Sequence, residues 1–144
     1  MQTLIIGDLH FADKPRGMLE AQAAAVLQIC EDRCGDCDKV VFLGDLMMHR
    51  NPRPTVLLAL KKLMDDIVAL GYDIFILRGN HDSVTKADDG ITALSLLENK
   101  YVHVFTHYHE DSIRKWIFIP HYEDEERIKQ YLANAPEGYT IFGH

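Results

Sequence analysis

Short unbroken apolar runs alternate along the chain with longer stretches in which apolar residues recur every three or four positions. Residues 4–6, 40–43 and 74–77 are short, rich in Val, Ile, Leu and Phe, and bounded by Gly or Asp, so each predicts a buried strand. Leu19, Ala23, Val26, Leu27 and Cys30 fall at helical spacing and predict a helix over roughly residues 15–32, with Pro15 near its first turn. Pro54 opens a second helix, carried by Val56, Leu57, Leu60, Leu63, Met64 and Ile67 and ended by Gly71. A third helix is expected over 91–98, followed by strands over 102–105 and 116–119, the latter stopped by Pro120. Four acids at 123–126 suit the positive end of a helix running to about Ala133, and are read as a solvated helix start. Residues 140–142 form a last strand. Strands alternating with helices of this length predict an α/β domain with a mostly parallel first sheet.

Composition narrows the reading. The 144 residues suit one domain over 1–144, and a hydrophobic fraction of 47% can fill a core. No apolar run approaches the roughly 20 residues of a membrane span. The N-terminus lacks a basic region and a small-residue cleavage site, so a cytoplasmic protein is expected. Cys30, Cys34 and Cys37 are odd in number and crowded together, which favours reduced thiols over a disulfide framework. Their spacing matches that of radical iron–sulfur enzymes, but they sit at a helix end, so they are read as incidental. The net charge of −7 gives no footprint for broad phosphate-backbone binding. It leaves nucleic acid open as a substrate, because a carboxylate site turns locally positive once divalent ions occupy it.

The candidate chemistry lies where strands end. Residues 4–6 run into Gly7-Asp8-Leu9-His10, and residues 40–43 into Gly44-Asp45. Residues 74–77 run, after Arg78, into Gly79-Asn80-His81-Asp82, and residues 140–142 into Gly143-His144. Each time an apolar strand stops at Gly and delivers a metal-capable side chain at its carboxyl end, where ligands sit in open α/β sheets. Asp, Asn and His give mixed oxygen and nitrogen ligation suited to Mn, Fe, Zn or Ni more than to Ca or Mg alone. A shared carboxylate can hold two ions roughly 3.5–4 Å apart. One Gly-Asp after a strand is an ordinary turn; four such exits in one chain are poorly explained by turns alone.

These four segments resemble, in order and over the whole chain, the first four signature motifs of calcineurin-like metallophosphoesterases. The resemblance implies two face-to-face β-sheets flanked by helices, and two divalent ions. It also implies that Asp8 and His10 bind the first metal, that Asp45 bridges, and that Asn80 and His144 bind the second. His81 would then act on the scissile phosphate as transition-state stabiliser or general acid, with Asp82 orienting it. Asn51-Pro52-Arg53-Pro54 and the exit of the strand over 116–119 make the chain most similar to the double-strand-break repair nucleases of the SbcD type and their phage counterparts. That branch implies a DNA substrate, manganese, and an ATPase partner subunit of the SbcC type.

Two departures stand out. The family's last motif, Gly-His-x-His, is absent. The domain is therefore expected to be incomplete at its C-terminus, each ion to lack one histidine, and the isolated chain to bind manganese weakly and show little or no nuclease activity. Relatives also often place a polar residue three positions after the bridging Asp, where this chain has Met48. His49 either fills that role from a shifted loop or is an ordinary surface histidine. His107-Tyr108-His109 is expected in a solvated loop, His103 as a packed or edge residue, and His121 as an optional cleft residue. No dinucleotide fingerprint or P-loop occurs. The expectation is a metal-dependent phosphodiesterase, an exonuclease or endonuclease acting on DNA. Its rivals are a phosphatase with the same site and a non-catalytic binding remnant.

Overall fold

The computed structural model describes residues 1–144. Two sheets pack face to face between helices, as expected. The first sheet is wholly parallel, in the order β1 (Gln2–Ile6), β2 (Cys37–Phe42), β3 (Asp73–Leu77), β4 (Val102–Phe105). The second is β5 (His109–Asp111), β6 (Trp116–Ile119), β7 (Thr140–Gly143), with β5 antiparallel and β7 parallel to β6.

Alternation along the strands decides what each face meets. Val40, Phe42, Ile74, Ile76 and Val102 face helices α1 (Met18–Asp32) and α2 (Pro54–Ala69), where Leu19, Val26, Leu60, Leu63, Met64 and Ile67 complete the main core. Val41, Phe75 and Leu77 point the other way, onto Phe118 and Phe142 of the second sheet. That layer is aromatic: Phe118 stacks on Phe105 at 3.9 Å and on Phe142 at 5.3 Å between centroids. Fully burying one such ring contributes about 1.5–3 kcal/mol, and the stacking adds geometric preference. The consequence for function is positional. Phe142 is clamped between the sheets two residues before His144. On the far side of the second sheet, Ile117, Ile119 and Tyr122 pack beneath α3 (Glu125–Ala133) through Ile128 and Tyr131.

Four local expectations need correction. The first helix starts at Met18, because Gly17 adopts a left-handed φ of 87° at its N-cap, leaving Pro15 outside. The stretch over 91–98 is a five-residue 3₁₀ turn, Ala93–Leu97, where Thr92 Oγ1 accepts the Leu94 amide at 3.2 Å. His109, expected in a loop, begins β5, since the edge of β6 supplies backbone partners that no local pattern announces. The last helix begins at Glu125, with Asp124 as the N-cap accepting the amides of Glu126 and Arg127.

Candidate metal centre

The exits of β1, β2, β3 and β7 converge. The first two are zipped together by backbone bonds: Leu43 donates to Ile6 O, His10 to Asp45 O and Phe11 to Leu46 O, at 2.8–2.9 Å. Asp8, His10 and Asp45 hold positive φ of 38°, 48° and 48°, and they are three of the five non-glycine residues in the chain to do so. A left-handed conformation costs a non-glycine residue roughly 1–2 kcal/mol, and such strain gathers where function requires it. Here it turns three side chains toward one another at the end of the sheet.

Glycine is required at two of these exits by close approach. A Cβ on Gly44, which has φ of 101°, would lie 2.6 Å from His144 Nδ1. A Cβ on Gly79 would overlap the backbone nitrogen and Oδ1 of Asp45. The glycines thus let the third and fourth exits press against the second.

Two groups of potential ligand atoms result, with each group's atoms within 4.8 Å of one another. One is Asp8, Asp45 and His144; the other is His10, Asp45 and His81. Asp45 belongs to both and is only 5% exposed. His144 Nδ1 lies 2.8 Å from Leu43 O, so that nitrogen carries the proton and Nε2 presents a lone pair. That lone pair faces Asn80 Oδ1 at 3.0 Å and Asp45 Oδ1 at 3.4 Å. With the imidazole neutral and the amide oxygen turned inward, three acceptors point at one another. Turning the Asn80 amide over would let its nitrogen donate to both Asp45 oxygens at 3.1 Å and to His144 at 3.0 Å. A cation between the three satisfies the same lone pairs with the oxygen inward. In the second group, His10 Nε2 is 3.8 Å from Asp45 Oδ2, while its buried Nδ1 has no partner. The donor set thus fits divalent ions: mixed oxygen and nitrogen, one carboxylate common to both groups, and one side open at Asp8, whose side chain is 64% exposed.

His81 stands edge-on to His10, with ring centroids 5.0 Å apart. Its Nδ1 bonds Met48 O at 2.9 Å, and its backbone amide donates to Asp45 Oδ1 at 2.9 Å. The residue three after Asp45 therefore touches His81 through its backbone carbonyl, which any residue can supply. Asp82 is fully buried beneath the site. Its carboxylate accepts the amides of Gly79 (2.8 Å), Met47 (2.9 Å) and Leu46 (3.3 Å), fastening the β3 exit to the β2 exit. Burial raises its pKa most, the three amides pull it back, and Asp45 adds to the rise.

The other histidines stand apart from the two groups. His49 is exposed and lines a separate cavity with Phe11 and Arg53. His103 stacks on Phe75, His107 packs against Gly90, and His109 lies in β5. His121 has its ring 6.2 Å from that of His144 and its Nε2 3.5 Å from Glu123. Sequence reasoning passed over Arg78, which is 1% exposed. It bonds Thr106 O (3.2 Å), His121 O (2.7 Å) and the Ser83 hydroxyl, and no carboxylate pairs with it. Burial lowers its pKa. A buried guanidinium tying β3, β4 and β6 together one residue before Gly79 holds the loop that carries Asn80 and His81. The signal was legible as a charge between an apolar run and a glycine. The carbonyls of Leu43 and Met48 left no signal at all, since every residue has one.

Comparison with known proteins follows the same line. A nuclease MPE from Pseudomonas putida is similar in fold, with a TM-score of 0.55 and 21% identity over 81% of this chain and 52% of that one. A dimetal phosphatase from Danio rerio aligns with a TM-score of 0.47 and 17% identity, over 91% of this chain and 50% of that one. The chain thus spans about half the length of these two structures. No curated protein matches it. No helix is long and apolar enough to cross a membrane. The model of the calcineurin-like phosphoesterase family matches residues 1–144, and the chain belongs to that family.

Proposed function

We propose that the chain hydrolyses phosphodiester bonds in DNA with two divalent ions, manganese above all. The observation that carries this reading is the convergence of Asp45, Asn80 and His144, whose polar atoms lie 3.0–3.4 Å apart, with a second ligand group that shares Asp45 and includes His10. Asp8, Asp45, Asn80 and His144 would hold one ion, and His10 with Asp45 the other. Bound there, the pair would supply an activated water and neutralise charge building on the phosphoryl oxygens. The Pseudomonas putida protein of similar fold is a nuclease, and residues 51–54 resemble those of repair nucleases; both favour a diester over a monoester. An ATPase subunit of the SbcC type is the partner this reading brings with it.

The chain's own residues do the remaining work. His81 is held at Nδ1, which donates to Met48 O, so its Nε2 faces the site and passes a proton to the departing oxygen only from the doubly protonated ring. Asp82 and Arg78 keep the β3 exit in register with the other exits, so His81 and Asn80 approach the phosphate from fixed positions. Turnover of bis-p-nitrophenyl phosphate, p-nitrophenyl phosphate and DNA, each with added manganese, tests the reading. Diester and DNA turnover supports it. Turnover of the monoester alone replaces it with a phosphatase, and silence from a folded, metal-loaded protein replaces it with a binding module.

A further inference from the structure

Next to the two ligand groups lies a cavity of about 420 Å³, within the roughly 300–1,000 Å³ range of small-molecule sites. Its lining includes the buried Phe11 with Met48 and Pro52, and the polar side chains of Lys14, Asn51 and Arg53. The lining is continuous with the metal centre through the backbone. Phe11 follows His10 and bonds Leu46 O at 2.8 Å; Met48 bonds Phe11 O at 3.1 Å and offers its own carbonyl to His81 at 2.9 Å. The cavity therefore begins one residue beyond His10, at Phe11, and at Met48, whose carbonyl holds His81.

Charge at the rim runs against that of the chain. The chain has a net charge of −7, yet two cations stand here against one acid, Asp13. Lys14 makes no ion pair. Arg53 is 65% exposed and spends one nitrogen on Asp13 at 3.2 Å, leaving the rest of its fork free. Arg50, by contrast, is tied to the carbonyls of Ser83 and Thr85. Met48 is 40% exposed, an unbranched apolar side chain at the cavity mouth that can lie against a flat ring.

Apolar lining and cationic rim, adjoining a phosphoester site, match one chemistry. A phosphomonoester carries one organic group and no second phosphate, so it leaves the Lys14 and Arg53 rim unmatched. A nucleic-acid strand continues, with a base that has an apolar face and a further phosphate. Resting on the phosphodiesterase reading above, we propose that this cavity is the subsite for the unpaired nucleotide next to the scissile phosphate. Lys14 and Arg53 take its phosphate, and Met48 and Pro52 lie under its base. The subsite selects a nucleic-acid strand over a monoester.

The experiment is binding of a fluorescent, phosphorothioate-linked oligothymidylate by anisotropy, with calcium supplied to neutralise the carboxylates, across a salt series. The variants are Lys14→Ala/Arg53→Ala and, as a control on α2, Lys61→Ala/Lys62→Ala, whose lysines already pair with Asp65 and Asp66. Loss of the one phosphate that Lys14 and Arg53 neutralise flattens the slope of log K against log salt by about 0.7 for single strands. The rim variant should bind about tenfold or more weakly at low salt, and an abasic oligonucleotide should bind the wild type weakly. Equal affinity of the rim variant and the wild type, equal losses in both variants, or no binding by the wild type would overturn the subsite. Turnover of bis-p-nitrophenyl phosphate by the wild type judges the phosphodiesterase reading separately. Turnover without any rim effect removes the subsite alone, while rim-dependent binding without turnover removes the enzyme reading and keeps the subsite.

Discussion

Replacing Asp82 tests whether the site is held from beneath. The carboxylate is fully buried and accepts three backbone amides from two strand exits: Oδ2 takes Gly79 and Leu46, and Oδ1 takes Met47. Asp82→Ala leaves three buried donors unpaired at about 1–3 kcal/mol each, so roughly 3–6 kcal/mol is lost after relaxation. Against a total of about 5–15 kcal/mol for a typical domain, that variant stands near unfolding. Asp82→Asn is the sharper experiment. It keeps one oxygen, and its amide nitrogen must face an N–H donor at the other position, which predicts a loss of about 2–4 kcal/mol with the fold retained. Urea unfolding at neutral pH in EDTA should show a lower midpoint at an unchanged slope. Because the same bonds set the distance between Asp45 and Asn80, calorimetric titration of Asp82→Asn should also show weaker manganese binding. A midpoint within about 0.5 kcal/mol of the wild type, the usual range for surface substitutions, would refute the reasoning.

Other expectations follow from single contacts. Gly44→Ala pushes a methyl into His144 at a backbone φ of 101°, so it should weaken metal binding while leaving the far-ultraviolet spectrum unchanged; intact affinity would mean that His144 is no ligand. His81→Ala should keep most metal affinity and lower turnover about 10²–10⁴-fold; matched losses of both would make His81 a ligand, as its place beside His10 and Asp45 permits. In the native protein, burial pushes the Cys30 thiol up to about 11, and Cys37 is buried as well, whereas Cys34 is exposed. A thiol reagent at pH 8 should therefore label one cysteine quickly and all three only after unfolding. Asp111 is partly buried, which alone would raise its pKa, but the amide and guanidinium of Arg114 at 3.0 and 2.5 Å outweigh this and hold it low. With the folded pKa below the unfolded value, its contribution is present above about pH 4 and lost as pH falls through the folded pKa. The gap in urea midpoint between wild type and Asp111→Asn should accordingly close on acidification, and a constant gap would contradict the assignment.

The sequence by itself determined the frame and which residues stand at the strand exits. Strands 74–77 and 40–43 were legible because each is a continuous apolar run too short for a helix, and the α2 start because Pro54 fits only a first turn. The strand exits were legible because glycine followed by Asp, Asn or His repeats at each of them. What the sequence left open depended on atoms that no side chain names. Met48 holds His81 through a carbonyl, Leu43 fixes the His144 tautomer in the same way, and β5 exists because the edge of β6 offers it partners. The resemblance named Asp45 as the shared carboxylate, but nothing in the local sequence says that Gly79 must be glycine to let Asp45 pass. Those are distances between segments far apart in the chain. Pairing of β2 with β3 sets those around Asp45, and the aromatic layer of Phe75, Phe105, Phe118 and Phe142 sets that of His144 by holding the second sheet against the first.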